Sequence, residues 1–180
     1  VAGGASKANI SWCEMRHLLS GVVTIAGSGG ADGFLRNIDG GDQEGLGQPG
    51  TDYRTFPLGD SSGQQIADGC DYPKIDAVSK LDQACYHAHV AEGINQFARN
   101  EFLCLSSEDN GGVDLTESNS AFVHCVGLTA IDGAELAANQ TSVIWSPRSN
   151  VSLYGNTAPV TMYANQGVQV GLGSDWSASG

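Results

Sequence analysis

The chain has 180 residues, 41% of them hydrophobic and 16% charged, the size and composition of one globular domain and not of a disordered segment. Twenty acidic residues against eight basic ones give a net charge of −12, which argues against a nucleic-acid partner and against an anionic membrane surface. No apolar run of about 18 residues occurs, so no membrane-spanning helix is expected.

The start, Val1 to Lys7, has no initiator Met and no signal-peptide form; it reads as the beginning of an excised or truncated piece of something longer, with a cytoplasmic location expected. Residues 10–20 carry apolar side chains at helical spacing, with Gly21 as a C-cap, and the β-branched run Val22 to Ala26 follows as a strand. Residues 27–50 are a glycine-rich loop and 59–74 a second polar loop, flanking a strand over Thr51 to Leu58. The glycines at 27–30 are not followed by Gly-Lys-Ser/Thr, so they do not make a phosphate loop. A short helix is expected over 75–84 and a strand over 85–91. A helix over 94–105 would bury Ile94, Phe97, Ala98 and Leu105 on one face.

Beyond a polar connection at 108–120, three strand-and-helix units follow. Ser120 to His124 runs apolar into a histidine, and Asp132-Gly-Ala-Glu135 resembles a capping box opening a helix to Asn139. Ser142 to Ser146 runs into Pro147-Arg-Ser-Asn150. Pro159 fits the first turn of a helix closed by Gly167, and Val168 to Asp175 ends on an aspartate. Short buried strands that alternate with helices and deliver polar side chains at their C-terminal ends describe the active-site face of a (β/α) barrel. The five cysteines are odd in number and include no C-x-x-C pair, so neither a disulfide framework nor a zinc knuckle is expected. Cys85, Cys104 and Cys125 read as reduced packing residues.

Four strand-end residues carry the chemistry. A histidine alone at such a position is more often a core residue, and an aspartate alone more often a turn or cap residue. Here His89 with Glu92, then His124, then Asp175 arrive in order at the C-terminal ends of strands along the chain. Two imidazoles and a carboxylate suit a divalent transition metal such as zinc, with iron or manganese accepted by the same donors. A further carboxylate can shuttle the proton of a metal-activated water.

These stretches resemble the amidohydrolase superfamily, in its cytosine deaminase, chlorohydrolase and imidazolonepropionase-like branch. His89-Val-Ala-Glu92 is similar to the family's fifth-strand H-x-x-E, and Phe122-Val-His124 with Leu128 to its sixth-strand motif. Ser146-Pro-Arg-Ser-Asn150 looks like its seventh-strand C-P-R-S-N, and Gly173-Ser-Asp175 like its eighth-strand G-T-D. Arg16 to Ile25 resembles its G-x-T-T-I passage. The resemblance implies an α/β fold: an incomplete (β/α)8 TIM-type barrel over residues 1–180, roughly strands two to eight, without the first strand and the N-terminal β-domain. It implies one divalent metal held by His89, His124 and Asp175, with His124 ligating or just outside the ligand shell. Glu92, His124 and Asp175 would be catalytic, and Asn150, Trp176 and Ser177 would contact substrate. His87 is read as no ligand.

The implied activity is metal-dependent hydrolysis of non-peptide C–N bonds in cyclic amides, amidines or nitrogen heterocycles. The alternatives are a dipeptidase-like amidohydrolase and a non-catalytic remnant that keeps the fold. The partner is a small nitrogen-containing molecule, with the barrel completed by missing segments or by a second copy.

Overall fold

In the computed structural model, which describes residues 5–27, 33–40, 45, 47 and 50–176, the chain opens with helix α1 (Lys7–Leu19). Ser6 caps it by accepting from Asn9 N at 3.3 Å, and Arg16 and His17 lie in the last turn, where cations complement the helix dipole. The helix therefore starts before residue 10, at a cap that apolar spacing alone does not show. Strand β1 (Thr24–Ile25) pairs in parallel with β2 (Arg36–Asn37), inside a stretch expected to be loop.

The main sheet holds β3 (Thr51–Arg54), β4 (Cys85–Val90), β5 (Ser120–His124), β6 (Ser142–Trp145) and β7 (Val170–Leu172). All five are parallel, and their order in space is their order in sequence. Parallel neighbours need crossovers, which α2 (Gln96–Leu105), α3 (Ala130–Ala138) and the pair α4 (Pro147–Tyr154) and α5 (Val160–Gln166) provide. The class is α/β, as expected. The segment at 75–84 forms only a 3-10 turn over Val78–Asp82.

Strand parity sorts core from site. In β4, Tyr86, Ala88 and Val90 are buried, while Cys85, His87 and His89 are half-buried on the other face. Tyr86 and Phe102 meet Phe122 edge to face, with ring centroids 6.5 and 6.4 Å apart. The buried face of α2 differs from the expected one. Ala98, Phe102 and Leu105 point inward, whereas Ile94 lies before the Asn95 cap and is exposed, as is Phe97. Helix α3 is capped three residues earlier than expected. Thr129 is its N-cap, and Asp132, in the first turn, accepts from Thr129 N at 2.7 Å and takes a two-pronged contact from Arg99, also at 2.7 Å. Gly167 closes α5 with φ 87°, as expected.

One cysteine expectation is overturned. Cys104 is bonded to Cys70 across a separation of 34 residues, tying the loop at 59–74 to α2, while Cys13, Cys85 and Cys125 are free. Asn100 reinforces the junction by donating to Gly69 O at 2.8 Å. A cross-link of this span restricts the unfolded chain, so the Cys70→Ala/Cys104→Ala double variant is expected to lose about 3 kcal/mol of stability. The midpoint of a urea titration, compared with the parent, measures it.

Candidate active site

The backbone bends sharply where the strands end. Among the described residues six non-glycine ones have positive φ, and four of them, Ala91 (52°), His124 (75°), Cys125 (48°) and Asp175 (62°), lie at or just beyond the C-terminal ends of β4, β5 and β7. Each costs an L-residue about 1–2 kcal/mol, and such strain gathers where side chains must be aimed. The bends are held from outside. The Glu101 carboxylate on α2 accepts from Ala91 N at 3.0 Å, and Tyr163 Oη on α5 donates to Cys125 O at 2.5 Å. Ser149 Oγ donates to Asp175 Oδ2 at 2.5 Å. The turns after β4 and β5 also touch: a Cβ on Gly127 would lie 2.8 Å from Gly93 O, so only glycine fits there without a shift.

These bends bring His89, His124 and Asp175 together, with one ligand atom from each lying within 4.8 Å of the others. His89 Nε2 is 3.9 Å from Asp175 Oδ1, and its Nδ1 lies 3.3 Å from Arg54 O. The two imidazole centroids are 5.0 Å apart. Glu92 stands at the rim, with Oε2 3.5 Å from His124 Nε2 and Oε1 accepting from Tyr154 Oη at 3.1 Å. Two nitrogens and an oxygen at this spacing are a donor set that fits a divalent transition metal. His124 Nε2, buried and without a hydrogen bond among the described residues, points the same way.

The remaining expected residues are placed differently. Asn150 is fully buried, with its amide nitrogen 2.9 Å from His124 Nδ1. Trp176 follows Asp175 and is 56% exposed. Ser177 lies outside the described residues. His87 shares the inner face with His89 and meets Tyr53 edge-on at 5.8 Å, but it is not in the three-residue cluster. Tyr154, Ser149, Glu101 and Tyr53 join the site unannounced by any motif of their own, although Ser149 lies inside the Pro147-Arg-Ser-Asn150 run. A helix residue 62 positions from Glu92 gives no local signal of meeting it.

Burial divides the protonation states. It drives His124 down to about 3, helped by the neighbouring His89, and His87 down to about 4. It pushes the Glu92 carboxyl up, against the pull of His89 and Tyr154. Burial would also raise Asp175, but the nearby His89 imidazole and the hydrogen bond from Ser149 outweigh it and hold that carboxyl below its ordinary value. Two carboxyls whose environments push them apart are the arrangement expected of an acid and a base.

Glu101 is also raised, to about 7, by burial and then by the charge of Asp60. From its unfolded value of 4.5 up to about 7, the folded state keeps this proton while the unfolded state releases it. The folded state binds more protons in that window, so this group's contribution to stability falls as pH rises through it. Glu101→Gln is expected to flatten the loss of stability that linkage predicts for the parent between about pH 5 and 8, as read by urea titrations at both pH values.

No protein-family model matches the chain. Among curated proteins it resembles 5-methylthioadenosine/S-adenosylhomocysteine deaminases. That of Halothermothrix orenii is 28% identical over 95 residues, covering 52% of this chain and 22% of that protein. That of Clostridium tetani is 30% identical over 103 residues, 56% and 24% of the two chains. That of Desulfitobacterium hafniense is 41% identical over 56 residues, 31% and 13%. Among solved structures, a triazine hydrolase variant superposes with TM-score 0.57 at 15% identity, over 96% of this chain and 49% of that one. Atrazine chlorohydrolase from Arthrobacter aurescens TC1, complexed with zinc, gives 0.55 at 16% over the same shares. At such identities the likeness to these structures is one of fold. The chain spans about half the length of these solved chains, and its matches cover 13–24% of the curated relatives.

Proposed function

We propose, from the premise that these relatives and neighbours indicate the amidohydrolase superfamily, that this chain is part of a (β/α) barrel that hydrolyses a C–N bond of a nitrogen heterocycle, in the manner of a deaminase. The observation that carries the reading is the convergence of His89, Glu92, His124 and Asp175 at one end of the parallel sheet. His89 and Asp175 would hold a divalent ion, with His124 beside them. When bound, that ion, zinc in this donor set, supplies Lewis acidity that brings a water toward its deprotonated form near neutral pH.

The chain's own groups do the rest. Asp175, ionised and steadied by Ser149, accepts the proton of the attacking water. Glu92, whose carboxyl is raised by burial, delivers a proton to the departing nitrogen. Tyr154 fixes one oxygen of Glu92, and His124 Nε2 lies 3.5 Å from the other, which keeps the carboxyl at the mouth of the site. The edge of the Tyr53 ring against His89, 5.7 Å between centroids, supplies an aromatic wall for a flat substrate. The dipeptidase-like alternative gains no support from Lys80, which is paired with Asp52 at 3.0 Å.

The experiment is a panel of 5-methylthioadenosine, S-adenosylhomocysteine, guanine and chlorotriazines, assayed for ammonia or chloride release by the full protein with and without zinc. Zinc-dependent release of ammonia from an adenine nucleoside is expected. Zinc bound at His89 and Asp175 with no release from any compound would overturn the reading in favour of a non-catalytic protein.

A further inference from the structure

Glu92 sits in a tight turn between β4 and α2. Gly93 N donates to Ala91 O at 3.0 Å, which closes a three-residue turn with Glu92 at its centre. Ala91, with φ 52°, opens the turn, and Asn95 caps α2 two residues after Gly93. The carbonyl side of this bend is met by the turn after β5. Cys125 N donates to Val90 O and Val126 N to Ala91 O, both at 3.0 Å. The N–H side is met by α2. There the half-buried Glu101 carboxylate accepts from Ala91 N at 3.0 Å. Against the burial that raises this carboxyl, the N–H groups of Ala91 and of Glu92 favour its charged form.

Ala91 is fully buried, so its N–H is a donor that would be costly to leave without an acceptor. A hydrogen bond to a charged group is also of the size needed to offset a left-handed φ at an alanine. The carboxylate is itself held. Asn100 on the same helix donates to Gly69 O at 2.8 Å, and Cys104, three residues beyond Glu101 and so on the same side of α2, is bonded to Cys70. What the turn aims is the Glu92 side chain, with Oε2 3.5 Å from His124 Nε2 and Oε1 accepting from Tyr154 Oη at 3.1 Å. Tyr154 holds the far end of that side chain, and the 91–92 peptide sets where it begins.

We propose that Glu101 is a positioning residue, whose carboxylate fixes the Ala91–Glu92 peptide and thereby keeps the Glu92 carboxyl where it can reach the departing nitrogen. Its catalytic meaning rests on the reading above; the hold on the turn does not. Glu101 contacts neither His89, His124 nor Asp175 in any of the bonds described, so it acts on the acid and not on the metal donors.

The test pairs amide spectra with kinetics. In the full, metal-free, 15N-labelled protein, the Ala91 amide proton is expected to move upfield in Glu101→Gln, whose neutral oxygen accepts more weakly than a carboxylate. In Glu101→Leu, which has no acceptor, that amide should exchange with solvent about 10-fold faster or more, while Phe122 and Val123 in β5 keep parent rates. With zinc added, Glu101→Leu is expected to lower kcat for ammonia release from the adenine nucleoside of the panel by about 10-fold or more, with KM and zinc content near those of the parent. Glu101→Gln should restore most of that loss. In the Glu92→Gln background the same Glu101→Leu change should cost less than about threefold, because the group it positions is already disabled. An Ala91 amide that is unchanged in Glu101→Gln, or an equal loss of kcat from Glu101→Leu in both backgrounds, overturns the proposal. The Glu101→Gln spectrum decides even where Glu101→Leu fails to fold. An inactive protein whose Ala91 amide responds to Glu101 would sink the hydrolase reading alone, and an active protein whose Ala91 amide ignores Glu101 would sink only this one.

Discussion

Asp175→Asn is expected to lower kcat/KM for the substrate found in the panel by about 10³-fold or more, with the fold intact. The substitution keeps the shape of the side chain and one oxygen able to accept from Ser149. It also suits the backbone, since asparagine tolerates the φ of 62° at this position better than most residues. What it removes is the negative charge and the capacity to take a proton. Asp175 is the carboxyl that its neighbours hold below the ordinary range, so it is ionised when needed, and an amide cannot substitute for that state. The charge also faces His89 across 3.9 Å, so zinc affinity should fall with turnover. Steady-state kinetics, zinc titration and circular dichroism together check this. Parent-like activity in a folded variant would refute the role of Asp175 as base.

How far the residues announced this arrangement depends on the range of the contacts involved. Strand β5 was legible because Ala121, Phe122 and Val123 form an apolar run that stops at His124, and β4 because its alternation ends on His89. Glu92 follows at a distance one turn can fold back, which is what the Ala91 bend does. The parallel order of the sheet follows from strands separated by helices, and the α/β class with it. The misses are contacts that only three-dimensional closure creates. Tyr154 meets Glu92 because α4 begins beside β6 and ends over β4's rim, and no spacing in the chain encodes that. Cys104 sits in an apolar helix run and looks like packing, yet Cys70 reaches it from a loop whose path is not written locally. Phe97 satisfied a helical period but faces outward, because the sheet selects the Ala98 and Phe102 side of α2. Asn150 is buried with its amide nitrogen 2.9 Å from His124 Nδ1, a contact between residues 26 apart that no local spacing encodes.

Glu92→Gln separates proton transfer from assembly of the site. Glutamine keeps an oxygen to accept from Tyr154 Oη and nearly the same volume, so the rim should stay in place. Glu92 is not one of the three residues whose ligand atoms cluster within 4.8 Å, so zinc should remain bound with parent-like stoichiometry. The side chain loses the ability to hold and release a proton, the function for which burial raises its carboxyl. Turnover is therefore expected to fall by about 10²-fold or more. The fall should be smaller for a substrate whose leaving group departs without a proton, such as a chlorotriazine, than for an amine. Comparing the two leaving groups in the parent and in Glu92→Gln, with zinc content measured on the same samples, tests both points. Loss of zinc from the variant would show that Glu92 helps to hold the metal. An equal fall for both leaving groups would mean that it acts on the attacking water instead.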